Sequence, residues 1–184
     1  MDHQRLEILE TEPITLVPYD PSWPKRFAEQ EMLLQRSLPT GLWTRIEHIG
    51  STAVPGLSAK PIVDVQVEVT DLDRVRREAV PIMRDLGWEY IWRPSMGERV
   101  PFYAWFIARN AQGERITHVH MVEPDGASED RIRFRDFLRT HPQDAQHYER
   151  LKVELLERHP RDRAAFTLGK STFIASILHR SRQQ

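Results

Sequence analysis

EHIGSTAVPGLSAKPIVDVQVEV, residues Glu47 to Val69, is the stretch on which the fold of this chain turns. A β-type run from Arg45 to Ile49 enters a turn at Gly50-Ser51, and a loop of small residues and prolines follows. Ile62 to Val69 then reads as a buried strand carrying one carboxylate, Asp64. Glycine lets a backbone approach a phosphate closely, and the hydroxyl and N–H groups after it can donate to phosphate oxygens. An aspartate flanked by Val63 and Val65 is costly to bury unless it is paired or holds a cation. A hard cation takes such a carboxylate together with phosphate oxygens. The plain alternative is a strand-end turn and an aspartate on a half-exposed strand.

Strand, Gly-Ser turn, loop and strand with an inward acid is how a nucleotidyltransferase holds a triphosphate and its metal. Two-metal chemistry would need a second acid beside Asp64. Side chains alternate along a strand, so Gln66 and Glu68 share its face. Glutamine is uncharged, and Glu68 lies about 13 Å away by strand rise. A one-metal site, or one that binds without catalysis, follows from that pattern. His118 and His120 in THVHMVE (Thr117 to Glu123) also share a strand face and can hold a metal or meet phosphate oxygens. They could stand where a third acidic strand normally faces the Gly-Ser loop, making one pocket of Asp64, His118 and His120. Without that context they are two histidines on a wet strand face. Gly50, Ser51 and Thr52 would form the phosphate loop, with Lys60 as a point charge against a triphosphate. His48 is a weaker candidate.

Arg131, Arg135 and Arg139 recur every four residues and form a stripe that could meet phosphate, or face solvent. Gly169-Lys170-Ser171-Thr172 resembles the end of a P-loop, but Ala164 stands where the first glycine is required. The segment also reads as helix, so ATP binding by that route is rejected.

Outside these motifs the chain reads as alternating helices and strands. Residues 1–12 are expected to be a flexible tail, and 13–184 one domain, helical from about residue 125. Ile14 to Val17 is a short strand candidate. Ser22 should cap a helix to about Ser37, with Pro24 tolerated in its first turn. Asp71 should cap an amphipathic helix kinked or broken at Pro81 and ended by Gly87. Trp88 to Trp92 is a further strand candidate. Phe102 to Ala108 and Arg115 to Val122 should pair through the Asn110 to Gly113 turn. Helices are expected over 128–139, 143–158 and 162–180. The sum is an α+β fold: a small mixed sheet with packed helices and a helical C-terminal section.

The composition fits. Of 184 residues, 40% are hydrophobic and five are tryptophan, enough for a core. The net charge of −1 gives no strong pull on nucleic acid, although residues 131–184 hold twelve Lys and Arg against six Asp and Glu. There is no cysteine, which removes disulfides and thiolate sites. The polar start is unlike a signal peptide, and a soluble cytoplasmic protein is expected.

YDPSWPKRF (Tyr19 to Phe27), IEHIGSTAVPGLSAKPIVDV (Ile46 to Val65), HVHM (His118 to Met121) and FRDFLRTHP (Phe134 to Pro142) together resemble the GrpB family. Tyr148, Leu151-Lys152 and Lys170 with Phe173-Ile174 extend the likeness to about residue 178. The resemblance implies a nucleotidyltransferase-like fold of the polymerase-β type, with Gly50, Ser51 and Asp64 matching the phosphate loop and first metal acid. It also hints at nucleotide or CoA metabolism, since relatives occur fused to dephospho-CoA kinase. Gln66 departs from the superfamily's acid–x–acid pattern.

The leading expectation is transfer of a nucleotidyl group from an NTP, with Mg²⁺ or Mn²⁺ on Asp64, His118 and His120. Gly50, Ser51, Thr52, Lys60 and Arg135 would bind phosphate. A degenerate module that binds a nucleotide or phosphometabolite is the alternative. RNA binding through the basic C-terminal helices is the third.

Overall fold

The computed structural model describes residues 2–93 and 103–183. Five strands form one mixed sheet: β1 (Trp43–Ile49), β2 (Val63–Val69), β3 (Glu89–Arg93), β4 (Tyr103–Arg109) and β5 (Arg115–Val122). Their order is β1-β2-β5-β4-β3. β2 lies parallel to β5, and every other neighbouring pair is antiparallel. Side-chain alternation then divides the residues between two faces. Val63, Val65, Val67 and Val69 share one face and join the core with Trp23, Leu34, Met83, Phe106, Val119 and Met121. Asp64, Gln66 and Glu68 share the other, beside His118 and His120.

Helix α1 spans Asp2–Thr11 and α2 spans Trp23–Ser37. The next helical segment is α3 (Leu72–Arg74), a π-turn over Val75–Ala79, and α4 (Val80–Asp85). α2 and α3–α4 cover the valine face. The C-terminal helices are α5 (Gly126–Thr140), α6 (Pro142–Arg158), α7 (Arg163–Leu168) and α8 (Ser171–Ser181). α5, α6 and α8 pack with the loop after the Gly-Ser turn, where Val54 and Leu57 meet Leu138, Tyr148 and Phe173.

Several expectations are corrected. Residues 2–11 are helical rather than a loose tail. Leu9 is 1% exposed and packs on Ile91, Tyr103, Trp105 and Val122 at the sheet face opposite the valines. The strand expected over Ile14 to Val17 is a single bridge, Val17 to Ala59. Ser22 precedes α2 without a side-chain cap, and its own N–H donates to Asp20 Oδ1 at 2.8 Å. The helix expected over 162–180 is two, α7 and α8. A Cβ on Gly169 would collide with Leu155, so the glycine lets the chain break close against α6.

Other expectations hold. Asp71 accepts from the N–H groups of Asp73 and Arg74 and caps α3. The π-turn ends just before Pro81, which lacks the N–H a continuous helix needs. Asn110 Oδ1 accepts from the backbone of Gln112 and Glu114, closing the β4–β5 hairpin with Gly113 at φ 79°. Phe102, expected to open β4, lies outside the described residues.

Candidate functional site

Parallel pairing in the register Asp64↔His118 and Gln66↔His120 sets the acid of β2 beside both imidazoles of β5. Asp64 Oδ1 accepts from His118 Nδ1 at 3.1 Å and from His120 Nε2 at 3.4 Å. One donor atom from each residue lies within 4.8 Å of the others. Trp105 of β4 stands edge-on to His118 at 5.0 Å, so an aromatic wall closes one side. Burial pushes the His118 imidazole down to about 4 against the pull of Asp64, and burial lowers His120 too. Both rings are therefore neutral near pH 7, the state a metal ligand needs. Burial alone would raise the Asp64 carboxyl, but hydrogen bonds from the two rings and the electrostatic interaction with them together outweigh it and hold the group well below the usual range. Among the described residues, His118 Nε2 is buried without a hydrogen-bond partner.

Gly50 ends β1 and brings its backbone onto this carboxylate. Its φ of 74° and ψ of −174° lie in a region open essentially to glycine. A Cβ there would stand 2.7 Å from Asp64 Oδ2. Ser51 opens a 3₁₀ turn over Ser51–Ala53, and the Tyr148 hydroxyl of α6 faces Ser51. Burial raises the Tyr148 phenol, and Ser51 opposes that shift.

Lys60 enters the same region. Its Nζ sits 5.5 Å from the Phe166 ring centroid, and burial, then Lys170, pushes it down to about 7. Lys170, set aside with the failed P-loop, arrives from the α7–α8 break with its Nζ 4.8 Å from the same ring. Burial lowers it to about 8, against the pull of Asp64. Lys152 of α6 donates to the Ser58 carbonyl and lies 5.0 Å over the Tyr148 ring. Tyr148 and Lys152 belong to the family likeness but carried no role in the sequence, and Phe166 had no motif to mark it. For Lys170, the available signals were the family likeness and a lysine directly after a glycine inside a helical pattern.

The remaining candidates are engaged with other partners. Thr52 is 2% exposed, and its hydroxyl pairs with His48 Nε2 at 3.0 Å. His48 stacks on Phe27 at 4.9 Å, and burial pushes it down to about 4. Both are buried at the end of β1. Arg135 is 7% exposed and holds Glu47, Asp136 and the His48 carbonyl. The arginine stripe runs from the sheet to solvent: Arg131 donates to Gln66 Oε1 at 3.2 Å, Arg135 is buried against β1, and the exposed Arg139 donates to the Ala53 carbonyl at 2.9 Å. Gln66 is fully buried and donates to the Ser128 carbonyl at 3.2 Å. The position of a second acid thus holds an amide that anchors the start of α5.

This fold and site define an α+β protein with a five-stranded mixed sheet and an acid–imidazole cluster beside a Gly-Ser turn. The chain belongs to the GrpB family, described as GrpB protein, which matches residues 13–180. It is 37% identical to a UPF0157 protein of Pseudomonas aeruginosa over 98% of this chain and 72% of that one. It is 30% identical to the glutamate-rich protein GrpB of Alkalihalophilus pseudofirmus over 90% and 94% of the two chains. The crystal structure of conserved protein GrpB from Enterococcus faecalis superposes with a TM-score of 0.75 at 31% identity, covering 91% of this chain and 96% of that one. Among the described residues no helix is long and apolar enough to cross a membrane.

Proposed function

We propose that this chain is a one-metal protein of the nucleotidyltransferase type, acting on the phosphates of a nucleotide. The observation that carries the reading is the meeting of Asp64, His118 and His120 against the backbone of Gly50. The strand arrangement supports it as well. A Gly-Ser turn ends β1, the antiparallel neighbour β2 bears the acid, and the parallel strand beyond supplies the third position.

The residues fit a divalent cation. Two neutral imidazoles and an ionised carboxylate form an N₂O donor set, and the unpartnered His118 Nε2 leaves Asp64 as that ring's hydrogen-bond partner among the described residues. Imidazole donors suit Mn²⁺ better than Mg²⁺, which prefers oxygen ligands and water. Bound there, the cation would act as a Lewis acid on a phosphoryl oxygen. The protein groups supply the rest. Asp64 and the histidines fix the position, the Ser51 hydroxyl and loop amides orient phosphate oxygens, and Lys60 offsets their charge.

Binding without turnover is a second reading, favoured by Gln66. Its amide is engaged with Ser128 and Arg131, so a second metal lacks its carboxylate.

Calorimetry with Mn²⁺ tests the site: one ion per chain is expected, lost in Asp64→Asn. Labelled NTP with Mn²⁺ separates the readings. Turnover abolished by Asp64→Asn supports transfer, and metal-dependent NTP binding without turnover selects the binding module. Turnover that survives Asp64→Asn unchanged removes the assignment.

A further inference from the structure

The break between α7 and α8 places a second lysine where the failed P-loop pattern gave it no role. Lys60, from the loop before β2, and Lys170, from the α7–α8 junction, approach one ring, Phe166, which is 1% exposed. Among the described residues, neither ammonium has an ion pair or hydrogen bond within reach. Arg163, whose charge acts on Lys60, donates to the carbonyls of Glu12 and Pro13. Lys152 is held by a carbonyl at the neighbouring loop. The carboxylate whose charge acts on both Lys60 and Lys170 is Asp64. A divalent cation on Asp64 would leave the region more positive still. Two ammonium groups at one aromatic ring, with positive charge in excess, call for a ligand that brings several negative charges.

We infer that Lys60 and Lys170, seated on Phe166, form an anion bracket beside the Asp64–His118–His120 cluster that takes the di- or triphosphate chain of the ligand. The inference deepens the proposed function and rests on it for the assignment of the site. It adds Lys170 as a binding residue and gives the ligand's class, a polyphosphate ester or free polyphosphate rather than a neutral or singly charged molecule. Cation–ring contacts hold both ammonium groups in place before the anion arrives, which lowers the ordering cost of binding it.

The test uses the full chain, calorimetry and defined probes. Inorganic tripolyphosphate is titrated in buffer with EDTA, and Mn²⁺ is titrated separately. Metal-free binding of tripolyphosphate is expected, weakened about tenfold or more in Lys60→Met and in Lys170→Met and largely kept in Lys170→Arg. Methionine keeps the apolar stem over Phe166, and melting curves check that each variant is folded. The Lys170→Arg variant keeps the inference testable should a methionine variant unfold, since loss of binding there, with the fold intact, counts against the bracket. ATP runs alongside: tighter binding than tripolyphosphate assigns a nucleotide, equal binding assigns the phosphate chain itself, and both support the bracket. Tripolyphosphate binding unchanged in both methionine variants, or absent from the wild type, overturns it. Mn²⁺ binding without tripolyphosphate binding removes the bracket and leaves the metal reading standing. Lysine-dependent tripolyphosphate binding with no Mn²⁺ binding does the reverse.

Discussion

Gly50 and Gln66 set what the site can do at the level of single side chains. Gly50 occupies a backbone conformation that costs about 1–3 kcal/mol for other residues, and its missing Cβ is the space against Asp64. Gly50→Ala should therefore destabilise the fold by roughly that amount, and the melting temperature should fall about 2–4 °C per kcal/mol. The same change should weaken Mn²⁺ binding by displacing the carboxylate. A melting curve and Mn²⁺ affinity both equal to wild type would contradict the close approach. Gln66 is the converse case. Gln66→Glu restores an acid in sequence, but it leaves the Ser128 carbonyl without its donor and sets a second carboxylate near Glu68. A cost of about 1–3 kcal/mol is expected, with Mn²⁺ stoichiometry still one per chain. Two ions per chain would show that the position is free to ligate. That Asp64 and the two histidines each face one side of their strands, with Gly50 at a turn, was legible because strand alternation and a Gly-Ser turn are local signals. That the Gln66 amide is engaged was not legible, because its partners lie 62 and 65 residues away.

Element α5 shows how a correct pattern can carry the wrong orientation. The four-residue spacing of Arg131, Arg135 and Arg139 does make one stripe, but spacing alone cannot say which side of the helix meets the sheet. All three guanidinium groups reach partners on β1, β2 or the loop after β1. Arg135 clamps α5 to β1 through Glu47 and the His48 carbonyl. Among the described residues, Arg135→Met would leave Glu47 with Arg45 alone and the carbonyl without that donor. A loss of about 3 kcal/mol is expected in urea unfolding, with the midpoint shifted and the slope kept. A loss below 0.5 kcal/mol, the usual scale for an exposed pair, would restore the solvated-face reading. Similar limits explain α1 and the α7–α8 break. Leu9 finds its partners on strands more than eighty residues later, and Gly169 is explained by Leu155 of another helix. The capped start of α3 and the β4–β5 hairpin were legible because their determinants are neighbours in the chain.

Across the whole molecule, the C-terminal helices pack beside the turn and loop that follow β1, close to the acid and histidines of the central strands. Three lysines converge on that junction. Burial holds Lys60 and Lys152 down to about 7 and Lys170 down to about 8, from an ordinary value of 10.5. The charged groups acting on them are Asp64, Arg115 and Arg163 for Lys60, Glu149 for Lys152 and Asp64 for Lys170, besides the lysines themselves. In the unfolded chain each lysine keeps its proton to about pH 10.4. Between pH 7 and that value the unfolded chain binds more protons than the folded one, so stability rises with pH across the window. Below pH 7 the cost of burying charged lysines is present in full. Tyr148 acts oppositely only near pH 10, because its raised phenol keeps a proton that the unfolded chain has lost. The melting temperature should therefore climb by a few degrees from pH 7 to 9.5 at low salt, and the climb should flatten in Lys60→Met. An anion on the bracket compensates the same charge, so tripolyphosphate should raise the melting temperature more at pH 7 than at pH 9.5. A melting temperature that falls with pH alike in wild type and Lys60→Met would show that these lysines do not lose their charge on folding.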